Sequence, residues 1–133
     1  MKIHHIGIAT TEIGSAAEIW DGLLGLRAGH TEEVAGQKVR ICMLPVGESR
    51  LELLESMSPD SPISKFLGKR GGGIHHLALS VEDIRSTLRD LKKKGARLID
   101  EEPRAGAGGC LVAFIHPSST GGVLLELVQE PSP

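Results

Sequence analysis

The sequence predicts an α+β protein built from two tandem βαβββ modules whose strands form a curved, partly open mixed sheet around a metal site. The first observation is a repeat, because residues 3–13 (IHHIGIATTEI) return as residues 74–84 (IHHLALSVEDI). The second is that each copy is followed by a helical apolar pattern and later by a strand with one embedded carboxylate. The 133 residues suit a single domain, with module 1 at about 1–56, a linker at 57–72 and module 2 at about 73–130.

Module 1 begins with an alternating strand over residues 3–9, in which small residues share one face with His5. Residues 14–24 change to helical spacing, and we expect Gly25 to end this helix. The expected apolar stripe of the helix consists of Ala16, Ile19, Trp20 and Leu23. The rest of the module is expected as a strand-and-turn passage at 26–34, a strand at 38–44, a hairpin turn at 45–49 and a strand at 50–55.

Module 2 repeats this order after a linker that holds a short possible helix near 62–68 and ends in three glycines. Its first strand covers 74–79. Ser80 then resembles a helix N-cap, with Asp83 three residues later as in a capping box. The expected helix stripe is Ile84, Leu88 and Leu91, Gly95 ends the helix, and strands follow at about 96–99, 110–115 and 123–128.

Composition excludes several classes of function. A net charge of −2, no Tyr, one Trp and two Phe leave neither a basic surface nor stacking platforms for nucleic acid. No apolar run approaches the ~20 residues of a membrane helix, so we expect no membrane partner. Cys42 and Cys110 stand alone in apolar strands, which favours buried thiols in a reducing compartment. We therefore expect a cytoplasmic protein.

The chemistry lies on the repeated strands. His5 shares its strand face with Gly7 and Ala9, and His76 occupies the equivalent position in module 2, so a hollow is expected above each imidazole. Glu52 and Glu126 are each flanked by leucines, and a buried carboxylate needs a partner because desolvating a lone charge costs several kcal/mol.

A divalent cation would satisfy both histidines and both glutamates, and such nitrogen and oxygen ligands suit Zn, Co, Ni, Mn or Fe. The alternative is that each His is a core residue and each Glu is half-solvated. That alternative must hold at equivalent positions in both copies. The neighbouring His4 and His75 fall on the other strand face and are weaker ligand candidates.

Six stretches carry a family resemblance over nearly the whole chain. They are HHIGIA (4–9), LELLE (51–55), SPISKFL (61–67), GIHHLAL (73–79), FIHP (114–117) and GGVLLEL (121–127). With them the sequence resembles the vicinal oxygen chelate (glyoxalase/bleomycin resistance) superfamily, and within it the methylmalonyl-CoA epimerases. The resemblance implies one divalent metal ion, an acyl-CoA substrate and an enolate chelated by the metal. The implied ligands are His5, Glu52, His76 and Glu126.

The resemblance also implies two acid/base glutamates on opposite faces of the substrate carbon, as epimerisation requires. The first is Glu126. The second family position is Gly36 here, which is a departure from the pattern. Glu32 or Glu33 from the preceding turn, another residue or water could replace it, with Glu33 the leading candidate. Otherwise the chain is not an epimerase.

Weaker expectations concern substrate contacts and assembly. His116 before Pro117 could line the pocket, and Lys65 could meet CoA phosphates, although a turn residue and a solvated linker face are the simpler interpretations. The glycine-rich segment 106–109 is interpreted as a mobile loop beside the site. We expect a homodimer, because each half-sheet has edge strands to cover.

Two other functions stay open. A glyoxalase I-like lyase acting on a thiol hemithioacetal uses the same type of ligand set, but its family tends to carry Asp-Pro-Asp-Gly before the last strand. This chain has His116-Pro117 and Gly121-Gly122 there. A non-catalytic binding module of the same fold usually lacks the metal ligands, and all four are present here.

Overall fold

The structure is a computed structural model that describes residues 1–133. It confirms the α+β class and the order βαβββ in both modules. The first module contains β1 (Lys2–Ala9), α1 (Ile13–Leu24), β2 (Thr31–Val34), β3 (Val39–Val46) and β4 (Ser49–Ser56). The segment between the modules contains α2 (Pro62–Arg70). The second module contains β5 (Gly73–Ser80), α3 (Ile84–Lys93), β6 (Arg104–Ala105), β7 (Leu111–Ile115) and β8 (Leu125–Gln129).

The chain divides into two compact units. One is His5–His75, and the other combines Met1–His4 with His76–Pro133. None of the helices combines the length and apolar character needed to cross a membrane.

The His5–His75 unit orders its strands β2-β3-β4-β1, with β1 and β4 parallel and the other pairs antiparallel. Helix α1 packs on one face of this sheet, where Ile13 meets the fully buried Leu44 and Leu53. Gly25 ends the helix in the left-handed region at φ 69°, as expected. Because side chains alternate along a strand, the opposite face carries Glu52.

The expected stripe of α1 is wrong in half of its members. Ala16 and Trp20 pack against the core, but Ile19 is 59% exposed and Leu23 is 74% exposed. The buried anchor is Ile13, one residue before the expected start of the helix. The true contact stripe therefore begins a turn earlier, and the leucine-rich end of α1 faces solvent.

The second unit orders its strands β5-β8-β7-β6, with β5 and β8 parallel. Helix α3 packs through Ile84 and Leu88 against Ala113, Ile115 and Leu127. As in the first unit, the helix occupies one face of the sheet, and the glutamate of the last strand lies on the other.

Two expectations for this unit are corrected. Asp83, not Ser80, is the N-cap of α3, since its carboxylate accepts a hydrogen bond from the Ser86 N–H at 3.1 Å and Ser80 still belongs to β5. The strand expected at 96–99 is only an isolated bridge between Leu98 and Ile115. The third ladder of the unit instead involves the two-residue strand β6.

Candidate functional site

The first His–Glu pair lies within the His5–His75 unit. Parallel pairing of β1 and β4 sets Gly7 opposite Glu52, so His5 and Glu52 point to the same face. The His5 Nε2 atom is 3.4 Å from the Glu52 Oε1 atom. Both residues are buried, at 2% and 7% exposure. Gly7, which lies between His5 and Ala9 on this face, carries no side chain.

The second pair repeats this geometry in the other unit. Ala78 lies opposite Glu126, and the His76 Nε2 atom is 3.1 Å from the Glu126 Oε1 atom. Both residues are 4% exposed. The ring of Phe114, which pairs with Glu126 in the β7–β8 ladder, meets the His76 ring edge-on with centroids 5.6 Å apart. The Phe114 ring thus forms one wall beside the imidazole.

The separations within the pairs suit metal ligands. Two donor atoms bound to one cation at about 2.1 Å lie about 3.0 Å apart in octahedral geometry and about 3.4 Å apart in tetrahedral geometry. The same separations allow a direct His–Glu interaction through a proton. His5, Glu52 and His76 are buried side chains that could bind a metal ion.

The ladders of the first unit decide which glutamate of β2 shares a face with Glu52. Glu52 pairs with Met43, and two residues along β3 Ile41 pairs with Glu32. Glu32 therefore lies on the Glu52 face.

Glu33 lies on the opposite face of the sheet. It pairs with Arg40, and its Oε1 atom is 3.9 Å from Arg40 Nε. Arg40 also bonds Glu55, which belongs to the α1 face. Because side chains alternate along a strand, the Glu33 side chain points away from the face that carries Glu52. This orientation argues against the predicted role of Glu33 as the second acid/base.

Gly36, the position where the resembled family carries a glutamate, lies in a short 3-10 turn, Ala35–Gln37. It is exposed, and a Cβ atom added there would meet nothing within 4 Å. The turn therefore presents no carboxylate, yet it has room for one.

The two predicted substrate contacts have different settings. His116 Nδ1 accepts a hydrogen bond from the Ser118 N–H at 3.0 Å and caps the 3-10 turn Pro117–Ser119. The observed hydrogen bond of His116 is thus to the backbone of the turn that follows it. Lys65 is exposed on α2. Neither contact with substrate is tested by the structure, and both stay predictions.

The neighbouring histidines of the repeat also have partners of their own. His4 is buried, with its Nε2 atom 3.4 Å from Glu130 Oε1. His75 meets the Phe66 ring edge-on at a centroid distance of 5.0 Å. Each of these histidines therefore has a side-chain contact outside the two His–Glu pairs.

The glycine-rich loop expected beside the site is closed by a hydrogen bond from the Gly106 N–H to the Cys110 carbonyl at 2.9 Å. Gly106 is pressed against Val112, whose side chain shares the Glu126 face through its pairing with Val128. The loop thus lies on the same side of its sheet as the His76–Glu126 pair.

Shifted pKa values occur at groups outside the two pairs. Burial raises the pKa of the Cys42 thiol, with a hydrogen bond to Thr31 acting in the opposite direction. The ammonium of Lys38 lowers the pKa of the exposed Asp60 carboxyl to about 2. Both cysteines are free thiols, and Cys42 is buried on the α1 face.

Comparison with known proteins shows the family to which the chain belongs. Residues 4–114 match the model of the glyoxalase/bleomycin resistance protein/dioxygenase superfamily. The chain is 36% identical over 129 residues to the mitochondrial methylmalonyl-CoA epimerase of Homo sapiens, covering 96% of this chain and 73% of that protein. It is 35% identical over 130 residues to the ethylmalonyl-CoA/methylmalonyl-CoA epimerase of Cereibacter sphaeroides, covering 96% of this chain and 97% of that protein.

Solved structures agree with the sequence comparisons. A variant of the Streptomyces coelicolor methylmalonyl-CoA epimerase, in complex with 2-nitronate-propionyl-CoA, superposes with a TM-score of 0.94 at 37% identity. The match covers 100% of this chain and 99% of that one. The resemblance predicted from the six sequence stretches is therefore confirmed over the full length.

Proposed function

Because the chain belongs to the glyoxalase/bleomycin resistance/dioxygenase superfamily and to the methylmalonyl-CoA epimerases within it, we propose that it interconverts the C2 epimers of methylmalonyl-CoA with the help of a divalent metal ion. The observation that carries the proposal is the pair of buried His–Glu couples at equivalent strand positions. The predicted class of enzyme, an epimerase-type isomerase, agrees with the named relatives.

The proposed metal ligands are His5, Glu52, His76 and Glu126. Their support is chemical: each pair offers one imidazole nitrogen and one carboxylate oxygen at separations that ligands of one cation adopt. When bound, the cation would supply positive charge that stabilises the enolate oxygen of the substrate. The proposed ions are Zn, Co, Ni and Mn, and metal analysis of the purified protein identifies the one that is bound.

Glu126 is proposed as an acid/base as well as a ligand. Its carboxylate lies on a buried strand face beside Val128 and across from Phe114, where water has little access. A carboxyl group in such a setting can exchange a proton with its own face of the α-carbon while bulk water is kept away.

The proposed substrate is a negatively charged acyl-CoA. Lys65 on α2 is exposed and positively charged, and it is proposed to approach a CoA phosphate. His116 is proposed to line the acyl end of the pocket. A Lys65→Ala variant should raise KM with little change in kcat, because a remote phosphate contact contributes equally to ground state and transition state.

A homodimer is the proposed assembly. The edge strands β2 and β6 have only four and two residues. Edge strands this short support a dimer less strongly than the sequence analysis expected. The exposed Leu23 and Leu24 of α1 are apolar surface of the kind that interfaces cover. Light scattering at working concentration measures the assembly directly, and a monomer mass would remove this part of the proposal.

The decisive experiment is to incubate metal-loaded protein with a single epimer of methylmalonyl-CoA in D2O. We expect inversion at C2 and one deuterium at the α-carbon by mass spectrometry. EDTA-treated protein is the control and should do neither. Wild-type protein that is loaded with metal, folded and inactive in both assays would contradict the epimerase proposal.

The second candidate is a glyoxalase I-like lyase, and Gly36 is the observation that favours it. Without a carboxylate at that position, the chain lacks one of the two family acid/base groups. A lyase moves a proton between neighbouring carbons of a thiol hemithioacetal, and one carboxylate can do this. Turnover of the methylglyoxal–glutathione adduct, in protein that leaves methylmalonyl-CoA unchanged, would favour the lyase.

A further inference from the structure

We propose that Glu32 is the second proton carrier of this enzyme, in place of the glutamate that the chain lacks at Gly36. The proposal rests on the proposed epimerase function. It concerns a residue that the resemblance does not assign, and it follows from the strand register.

Epimerisation requires one acid/base on each face of the α-carbon, since a proton removed from one face must be replaced on the other. In one direction the Glu32 carboxylate takes the α-proton, and the C–H electron pair moves into the enolate. The Glu126 carboxylic acid then donates its proton to the opposite face. Glu32 ends protonated and Glu126 ionised, and exchange with water resets both groups. The reverse sequence serves the other epimer.

The ladders of the first unit leave few choices for this role. Four residues on the Glu52 face of β1 to β4 carry titratable or charged side chains, namely His5, Glu32, Arg50 and Glu52. His5 and Glu52 form the proposed ligand pair. Arg50 carries a guanidinium, which donates hydrogen bonds and offers no basic atom. Glu32 is therefore the remaining carboxylate on this face.

The position of Glu32 suits a group that acts on a substrate bound near Glu52. Two strand spacings and two residues along the strand separate their Cα atoms, which corresponds to roughly 12 Å. A gap of that size admits a small acyl group between the two side chains. Glu32 is half-buried, and its cross-strand neighbour Ile41 is buried.

Glu33 provides a matched comparison on the same strand. It has the same side chain, it is the next residue, and the alternation of β2 directs it to the α1 face, where Arg40 pairs with it. Glu32→Gln and Glu33→Gln therefore remove the same charge from opposite faces of one strand. A difference in rate between the two variants would therefore reflect the face of β2 on which the side chain lies, and not the loss of one negative charge.

The experiment measures epimerisation and α-proton exchange in D2O, starting separately from each epimer. Glu32→Gln should slow epimerisation by about 10²-fold or more, the scale for losing a positioned acid/base. It should keep deuterium exchange with retention for one epimer, because Glu126 still reaches one face. Glu33→Gln should stay within about twofold of wild type. Metal content and Tm, measured for each variant, report whether the fold and the site are intact.

A double variant tests for rescue. Adding Gly36→Glu to Glu32→Gln places a carboxylate on the open 3-10 turn, and we expect it to recover at least about tenfold of the lost rate. Several results would overturn the proposal: wild-type rates in Glu32→Gln, loss only in Glu33→Gln, or equal loss of exchange from both epimers. Inactive wild-type protein is a different outcome, since it removes the proposed function before any variant is compared.

Discussion

The carboxylate of Glu55 accepts a hydrogen bond from the backbone N–H of Ile13 at 3.0 Å, so strand β4 caps the first turn of α1. Gln129 does the same for Ile84 of α3 at 2.8 Å. Each capping residue follows a site glutamate by three positions. Because strand side chains alternate, β4 and β8 each hold a site carboxylate on one face and a helix cap on the other.

Removing either cap should destabilise the fold. We expect Gln129→Ala to lower the free energy of unfolding by about 1 kcal/mol, because the Ile84 N–H loses its acceptor. Glu55→Ala should cost somewhat more, since Arg40 also loses its partner. Urea unfolding monitored by circular dichroism measures both values. Glu48→Ala in the exposed hairpin turn is the control and should stay within about 0.5 kcal/mol of wild type.

Metal removal should lower thermal stability. A ligand that binds only the folded state stabilises it by about 2.7 kcal/mol at 100 times its Kd, so verified stripping with EDTA should lower Tm by several degrees. Differential scanning calorimetry before and after metal return checks this. An unchanged Tm in protein shown to be metal-free would contradict the proposed site.

The same site predicts which histidine controls metal content. His76→Ala should reduce bound metal well below one equivalent per chain, since it removes one of four proposed ligands. His30→Ala changes an exposed histidine on a loop and is the matched control. Metal analysis of the folded variants distinguishes them, and full metal content in His76→Ala would rule out its role as a ligand.

The two thiols should react at different rates. Cys42 is 2% exposed and burial raises its pKa, whereas Cys110 is half-buried. Iodoacetamide at pH 8 should therefore label Cys110 first, as peptide mass spectrometry would show.

The raised pKa of the Cys42 thiol also makes stability depend on pH. Its contribution to the free energy of unfolding is fully present below the pKa of an unfolded thiol, about 8.5. Stability should thus fall as pH rises above that value, and Cys42→Ser should reduce this part of the slope.

Gly106 has close surroundings. A Cβ atom at this position would lie 2.7 Å from a methyl group of the buried Val112. Gly106→Ala should therefore cost about 1–3 kcal/mol through overpacking. Gly22 in α1 has nothing within 4 Å of an added Cβ, so Gly22→Ala should instead raise stability by about 0.5–1 kcal/mol. Chemical denaturation of both variants tests the contrast.

The repeat allowed the sequence to predict most of the fold, since period-two patterns around His5 and His76 locate strands regardless of their partners. The N-cap of α3 was misplaced because Ser80 and Asp83 both suit the position chemically, and only the length of β5 excludes the first. The stripe of α1 was misjudged because its apolar residues nearly encircle the helix, so periodicity alone does not choose the buried side.

The two His–Glu pairs were predictable because the histidine and the glutamate occupy equivalent positions in the two copies of the repeat. Which of Glu32 and Glu33 shares the Glu52 face was not predictable, because a four-residue strand has no pattern that fixes its face. Only pairing with β3 determines it. The helix caps were likewise missed, although their common spacing from the site glutamates was a usable signal.

Strand β2 pairs only with β3 and forms one end of its sheet. Terminal strands of this length open locally at a lower free energy than the central strands. If Glu32 carries protons from such a strand, catalysis would fail through fraying before the molecule unfolds. On heating, turnover should then decline several degrees below the global melting transition, and amide hydrogen exchange should be fastest, among the strands of this unit, at Glu32 and its neighbours in β2.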